Sequence, residues 1–199
     1  MNSIKVILLG ESGVGKTSLI NVSIGGQFNP EINSTLNTTY FEQKLEYNDK
    51  KYAYCLWDTA GQEVYRALNK IFMKGAKIIM LVYSINSKKS FEELNYWISN
   101  VKETLGDGNY IMAIVANKAD LFEEEEVSEK DGKEFAKKHN AKYCVTSALN
   151  NAKEFKSFLE ELVKEYIISV EQSGQPEVEL NNIILKPKKT KKNKKCCIK

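Results

Sequence analysis

The run Gly10-Glu11-Ser12-Gly13-Val14-Gly15-Lys16-Thr17 constrains this chain more than any other stretch. It fits the pattern G-x-x-x-x-G-K-[ST]. The apolar run Ile4 to Leu9 precedes it and reads as a buried strand. Thr17-Ser18-Leu19-Ile20 follows and reads as the first turn of a helix. A strand, a glycine-rich loop and a helix in that order make a cradle for a polyphosphate. Backbone N–H groups of the loop and of the helix N-terminus supply the donors. Gly10, Gly13 and Gly15 let the backbone come close to the phosphates. Lys16 neutralises the outer phosphates as a point charge, and the Thr17 hydroxyl can sit on Mg²⁺. The contact set read here is Ser12, Gly13, Val14, Gly15, Lys16, Thr17 and Ser18.

Three further motifs each close a predicted strand, where ligands bind in open α/β sheets. Asp58-Thr59-Ala60-Gly61-Gln62-Glu63 follows the strand Tyr52 to Trp57. Asp58 there can hold a water on the metal, the Gly61 N–H can meet a terminal phosphate, and Gln62 can orient an attacking water. Lys16 and Gln62 are therefore the catalytic candidates. Asn117-Lys118-Ala119-Asp120 follows the strand Tyr110 to Ala116. Asp120 can accept two hydrogen bonds from the N1–H and N2–H₂ edge of guanine, an edge adenine lacks. Thr146-Ser147-Ala148 ends the strand Lys142 to Val145, and its backbone can donate to guanine O6. The Asp120 motif thereby selects GTP over ATP; each motif alone is common, and the four in this order, each at a strand end, make the signal specific.

The remaining pattern predicts an alternating α/β fold. Strands are expected at Ser3 to Leu9, Tyr40 to Tyr47, Tyr52 to Trp57, Lys77 to Tyr83, Tyr110 to Ala116 and Lys142 to Val145. Helices are expected from Lys16 to about Ile24, in a short stretch ending near Gly75, and at Ser87 to Leu105, Ser128 to Asn140 and Ala152 to Val170. Gly25 to Thr38 and Thr59 to Lys70 read as irregular, and Asn48-Asp49-Lys50 as a hairpin turn. The result is a six-stranded, mostly parallel sheet with one antiparallel edge strand and helices on both faces. Glu123 to Glu126 reads as a solvated loop and helix start, His139 as a surface residue, and Trp97 as core. Cys55 and Cys144 read as small core residues, not a disulfide framework, which points to a reducing compartment.

Charge separates the chain into two parts. Glu171 to Lys199 holds 8 lysines and 3 glutamates, net +5, against +3 for the whole chain, which leaves −2 for residues 1–170. The basic character belongs to the tail, so no nucleic-acid face is expected on the domain. Lys186 to Lys195 carries seven lysines, and such a segment cannot bury a core. We therefore expect a domain over 1–170 and a disordered tail over 171–199. No signal peptide or membrane span is expected.

These motifs resemble the Ras superfamily of small GTPases and, within it, the Rab family, over residues 3 to about 170 and the tail. Trp57 before the Asp58 motif, Lys74-Gly75-Ala76 and Leu81-Val82-Tyr83-Ser84-Ile85 look like the corresponding Rab segments. The resemblance implies a monomeric phosphate-loop G domain that uses Mg²⁺ with GTP or GDP. It makes Gly25 to Thr38 the first switch, with Thr35 on the metal and the γ-phosphate. Phe28 then packs edge-on against guanine or, alternatively, tucks into the core. Tyr40, Trp57 and Phe72 match three effector-facing aromatics. Leu149 stands where the family often has a lysine and removes one stacking contact to the base. The implied partners are an exchange factor, an activating protein, a GDP-dissociation inhibitor or escort protein, and trafficking effectors. Arg66 is the one arginine of the chain, so unaided hydrolysis should be slow and an activator should supply the missing cation.

The chain ends Cys196-Cys197-Ile198-Lys199. The resemblance implies geranylgeranyl groups on Cys196 and Cys197; a single prenyl group at Cys196 is the other option. Two lipids, or one lipid with a polybasic patch, give a stable anchor on the cytosolic face of an intracellular membrane. Two further functional classes stay open: a guanine-nucleotide-binding scaffold with negligible turnover, and a Ras- or Rho-like signalling GTPase.

Overall fold

The computed structural model describes residues 3–30, 35, 38–59, 66–106, 108–150 and 152–173. Continuous apolar runs become the central strands. β1 (Ile4–Leu9), β3 (Lys50–Asp58), β4 (Ile78–Ser84) and β5 (Ile111–Asn117) carry the buried residues, as strands covered on both faces must. With β2 (Thr39–Tyr47) and β6 (Lys142–Val145) they form one six-stranded sheet, ordered β2-β3-β1-β4-β5-β6. Every pairing is parallel except β2 with β3, so the antiparallel strand is the edge. The β2–β3 turn is tighter than the sequence reading. Asn48 and Asp49 both take positive φ, 49° and 58°, and Lys50 already pairs with Tyr47. Two left-handed residues match the twist of the flanking strands, so a third turn residue is not needed.

Helices cover both faces. On one, α1 (Lys16–Ser23) and α6 (Ala152–Gln172) bury Leu19, Ile20, Phe155, Leu159, Val163 and Tyr166 against Val6, Leu8 and Met80. On the other, α2 (Arg66–Met73), α4 (Leu94–Leu105) and α5 (Glu129–Lys138) place Met73, Trp97, Val101 and Ala136 on Ile7, Ile79 and Leu81. Each face thus has its own core, and both press on the strands whose ends hold the motifs.

Several local expectations are corrected. The helix α2 begins at Arg66, inside the stretch read as irregular to Lys70. Arg-Ala-Leu are good helix formers, and the polar Asn69-Lys70 hid the period. The helix expected from Ser87 is bent at Glu93 into α3 (Lys88–Glu92) and α4. The bonds Glu93 N–H to Lys89 O and Trp97 N–H to Glu93 O run through the bend. The first turn is drawn onto the end of β4 because Ser90 Oγ accepts from Ser84 N–H at 3.0 Å and donates to Ser87 O at 2.7 Å. The acidic run Glu123 to Glu126 is exposed as read, but only part of it is loop. Ala119–Glu124 is a 3₁₀ helix, Glu126 accepts the Lys88 N–H at 2.6 Å, and Glu124 accepts from Asn86. Two carboxylates thereby brace the N-terminal end of α3. His139 is half-buried, with its ring 4.6 Å from Phe135, and burial lowers its pKa. Trp97 and Cys55 are buried as expected, and Cys144 is half-buried, its thiol pushed up to about 12 by burial.

Candidate functional site

A cavity of about 350 Å³ opens at the carboxyl ends of β1, β3, β5 and β6. Ser12, Gly13, Gly15, Lys16, Thr17 and Ser18 line one end. Phe28, Asn117, Lys118, Asp120, Ala148 and Leu149 line the other. Val14 is buried behind the loop. The four motifs, up to 137 residues apart in sequence (Ser12 to Leu149), therefore meet around one space.

The loop owes its shape to its glycines. Gly10 has φ 145°, and a Cβ there would strike the Val82 carbonyl oxygen. Gly15 has φ 94°, and a Cβ there would strike the Asn117 amide. That close approach has a purpose. Asn117, fully buried, donates to Val14 O at 2.8 Å and accepts the Ala148 N–H at 3.3 Å. One side chain at the end of β5 thus ties the glycine loop to the loop after β6. Lys16 is 5 % exposed, and its ammonium donates to the Gly10 and Glu11 carbonyls at 2.8 Å each. Burial lowers its pKa to about 8, opposed by the charges of Asp58 and Glu11. A cation so desolvated gains strongly from an arriving anion.

At the next strand end, Thr17 Oγ donates to Asp58 Oδ2 at 2.7 Å and lies 2.7 Å from Thr35 Oγ. Asp58 is 1 % exposed, and its Oδ1 has no hydrogen-bond partner among the described residues. Burial raises its pKa, while Thr17, Lys16 and Thr35 work the other way. An orphaned buried carboxylate oxygen beside two hydroxyls is a set of hard donors that fits Mg²⁺. Among the described residues no three His, Cys, Asp or Glu come together, so phosphate oxygens would have to complete the shell. Thr59 Oγ donates to Leu8 O at 2.6 Å and holds the start of the next loop against β1.

The opposite end is organised by Ser147. Its hydroxyl makes a very short hydrogen bond to Asp120 Oδ1 and accepts the Leu149 and Asn150 N–H groups at 3.2 and 3.1 Å. Ser147 does not line the cavity; it fixes the carboxylate that does. Lys118 adopts a left-handed conformation, φ 63° and ψ 36°, and starts the 3₁₀ turn that carries Asp120. Phe28 packs on the α1–α6 core and also lines the cavity. Leu149 is 53 % exposed at the rim.

Asn29, Pro30, Thr59 and Leu121 also line the cavity and were not singled out from sequence. Leu121 follows Asp120 directly, a signal that was available; Pro30 carries none. Outside the cavity, Tyr40, Trp57 and Phe72 form one aromatic row. Tyr40 stacks on Trp57 with ring centroids 5.4 Å apart, and Trp57 meets Phe72 at 6.2 Å. The positions of Gly61, Gln62, Cys196 and Cys197 lie outside the described residues.

A mostly parallel sheet of this order, with a glycine loop and lysine after its central β1 and an Asn-Lys-x-Asp turn after β5, defines a phosphate-loop G domain. The sequence profile of the Ras family matches residues 5–168. Ras-related protein Rab-22A of Homo sapiens is 35 % identical over 150 residues, covering 75 % of this chain and 77 % of that one. Rab-21 of Geodia cydonium is 41 % identical over 144 residues, covering 72 % and 62 %. Rab11B of Nicotiana tabacum is 35 % identical over 162 residues, covering 81 % and 74 %. The chain belongs to the Ras family of small GTPases, and these relatives place its likeness with Rab proteins.

Proposed function

We propose that this protein is a Rab-type molecular switch that binds and hydrolyses GTP and presents a partner-binding face in the GTP state. The observation that carries the reading is the single cavity whose one end is built from Lys16, Thr17 and the glycine loop and whose other end carries Asp120. The first suits a polyphosphate, the second the guanine edge, and the space between them takes a ribose. The bound Mg²⁺ supplies charge neutralisation to the phosphates; Thr17, Thr35 and Asp58 would hold it, Asp58 through water. Lys16 holds the outer phosphates and stabilises charge that develops during transfer. Gly61 offers its N–H to the γ-phosphate, and Gln62 directs the attacking water. Asp120 accepts from guanine, with Ser147 setting its orientation and Ala148 donating to O6. Phe28 and Lys118 flank the base, and Leu149 lines the rim beside it.

The partner reading rests on Tyr40, 51 % exposed, and on its stacking with Trp57 and Phe72. An exchange factor, an activating protein, a GDP-dissociation inhibitor and trafficking effectors follow from the Rab likeness. No helix among the described residues is long and apolar enough to cross a membrane. Lipids on Cys196 and Cys197 with the lysine-rich segment would attach the protein to a membrane surface.

Single-turnover hydrolysis of GTP tests the enzyme reading against a non-hydrolysing scaffold. A glutamine amide can accept from the water and donate to a γ-oxygen; leucine of similar size can do neither. Gln62→Leu should keep nucleotide affinity and lower the intrinsic rate ~10-fold or more, about 1.4 kcal/mol of barrier. No turnover in either protein favours the scaffold, and equal measurable rates in the two remove Gln62 as the group that directs the water.

A further inference from the structure

Lys5 lies on the face of the sheet that carries Trp57. In the β1–β3 register Lys5 pairs with Cys55 and Ile7 with Trp57, so the two side chains share a face two positions apart. The Lys5 ammonium sits 4.2 Å from the centre of the Trp57 ring. The same ammonium donates to the Lys74 carbonyl at 3.0 Å. Lys74 follows α2 directly, and a carbonyl at a helix C-terminus carries the negative end of the dipole. The chain there turns through Gly75, φ 73°, with Ala76 N–H bonded to Met73 O at 3.0 Å. One cation thus joins three pieces: the strand that leads into the glycine loop, the ring at the centre of the aromatic row, and the end of α2.

We infer that Lys5 is a positioning residue for the aromatic face, fixing the Trp57 ring and the end of the helix that carries Phe72. Phe72 lies two residues before Lys74, so the contact between Phe72 and Trp57 has the shape that this tether gives it. A second tether, Lys70 to Glu103 at 2.7 Å, holds α2 to α4 but leaves Trp57 untouched. A lysine suits the position because an ammonium meets a ring face and a carbonyl at once. Arginine can do the same, whereas methionine fills similar space with neither interaction. Lys5 does not line the cavity, so its removal should leave nucleotide binding alone. The consequence for partners rests on the reading of Tyr40, Trp57 and Phe72 as a docking face; the tether itself does not.

The experiment compares full-length wild type, Lys5→Met and Lys5→Arg, with Trp57→Phe used to assign the Trp57 emission against that of Trp97. Lys5→Met should shift Trp57 emission, increase its quenching by acrylamide, and speed hydrogen exchange at the Ala76 amide. Lys5→Arg should restore all three. Should Lys5→Met not fold, Lys5→Gln replaces it; its amide keeps the carbonyl bond and loses the ring contact, so emission shifts while Ala76 stays protected. Unchanged Trp57 emission in the Met and Gln variants overturns the inference. So does failure of arginine to restore it when all variants share one unfolding midpoint. GDP binding is measured on the same samples. Loss of binding in wild type would sink the functional reading and leave the tether standing.

Discussion

Asp120 illustrates how a single side chain acquires its role from its neighbours. A free aspartate on a 3₁₀ turn is only a surface charge. Here Ser147 occupies one carboxylate oxygen, and Lys118 bends the chain so that the residue lines the cavity. If Asp120 reads the guanine edge, Asp120→Asn turns an acceptor into a mixed donor and acceptor. The variant should lose GTP affinity by roughly 10-fold or more, at least about 1.4 kcal/mol, and gain binding of xanthosine triphosphate. Unaltered GTP affinity in a competition titration would remove the assignment. Thr17 gives a second test. Its hydroxyl links to Asp58 and Thr35, and a Mg²⁺ held there would neutralise the outer phosphates, of which GTP has one more than GDP. Thr17→Asn should therefore weaken Mg²⁺-GTP more than GDP. Equal losses for both nucleotides, read by filter binding, would mean that the hydroxyl is structural.

At the scale of elements, the strands were legible because parallel strands buried on both faces read as unbroken apolar runs. β4, Ile-Ile-Met-Leu-Val-Tyr-Ser, is buried at every position. The motifs were legible for a related reason, since each closes such a run. The bend at Glu93 and the 3₁₀ helix were not, because both are held by hydrogen bonds to other elements: Ser90 to Ser84 at the end of β4, and Ala119 N–H to Thr146 O and Asn86 to Glu124 at the two ends of the 3₁₀ helix. Nor was the tie of Asn117 to Val14, separated by 103 residues, which only the fold creates. Helix α5 offers a prediction of the same kind. Gly132 sits mid-helix, where alanine would gain about 1 kcal/mol of propensity. A Cβ there would collide with the hydroxyls of Tyr83 and Tyr143, which face each other at 3.2 Å. Overpacking costs about 1–3 kcal/mol, so Gly132→Ala should destabilise on balance by roughly 1 kcal/mol. Adding Tyr143→Phe should recover part of that in urea unfolding. A stabilised Gly132→Ala would show that the two tyrosines can move aside.

At the scale of the whole molecule, the two cores meet through one sheet, and every ligand-facing loop hangs from the same edge of it. The cavity residues come from loops that hold one another through Asn117, Thr59 and Ser147. Buried Lys16, its pKa lowered, and Asp58, its pKa raised, are held there at a cost that the phosphates would relieve at Lys16 and a Mg²⁺ would relieve at Asp58. Stripping nucleotide and magnesium should thus lower the melting temperature. At free nucleotide 1,000 times its dissociation constant the loss is about 4 kcal/mol, which for a domain of this size is roughly 8–16 °C. A scan that moves by less than about 2 °C would argue that the cavity is not the nucleotide site.

The central claim is that one cavity binds a polyphosphate and reads guanine. Equilibrium competition on nucleotide-stripped, full-length protein with Mg²⁺ tests it most directly, with labelled GDP displaced by unlabelled GDP, GTP, ADP or ATP. GDP and GTP should displace the label, and ADP and ATP should fail at concentrations at least about 100-fold higher, a difference of about 2.7 kcal/mol. Displacement by ADP and GDP at equal concentrations, or no binding of GDP at all, would contradict it.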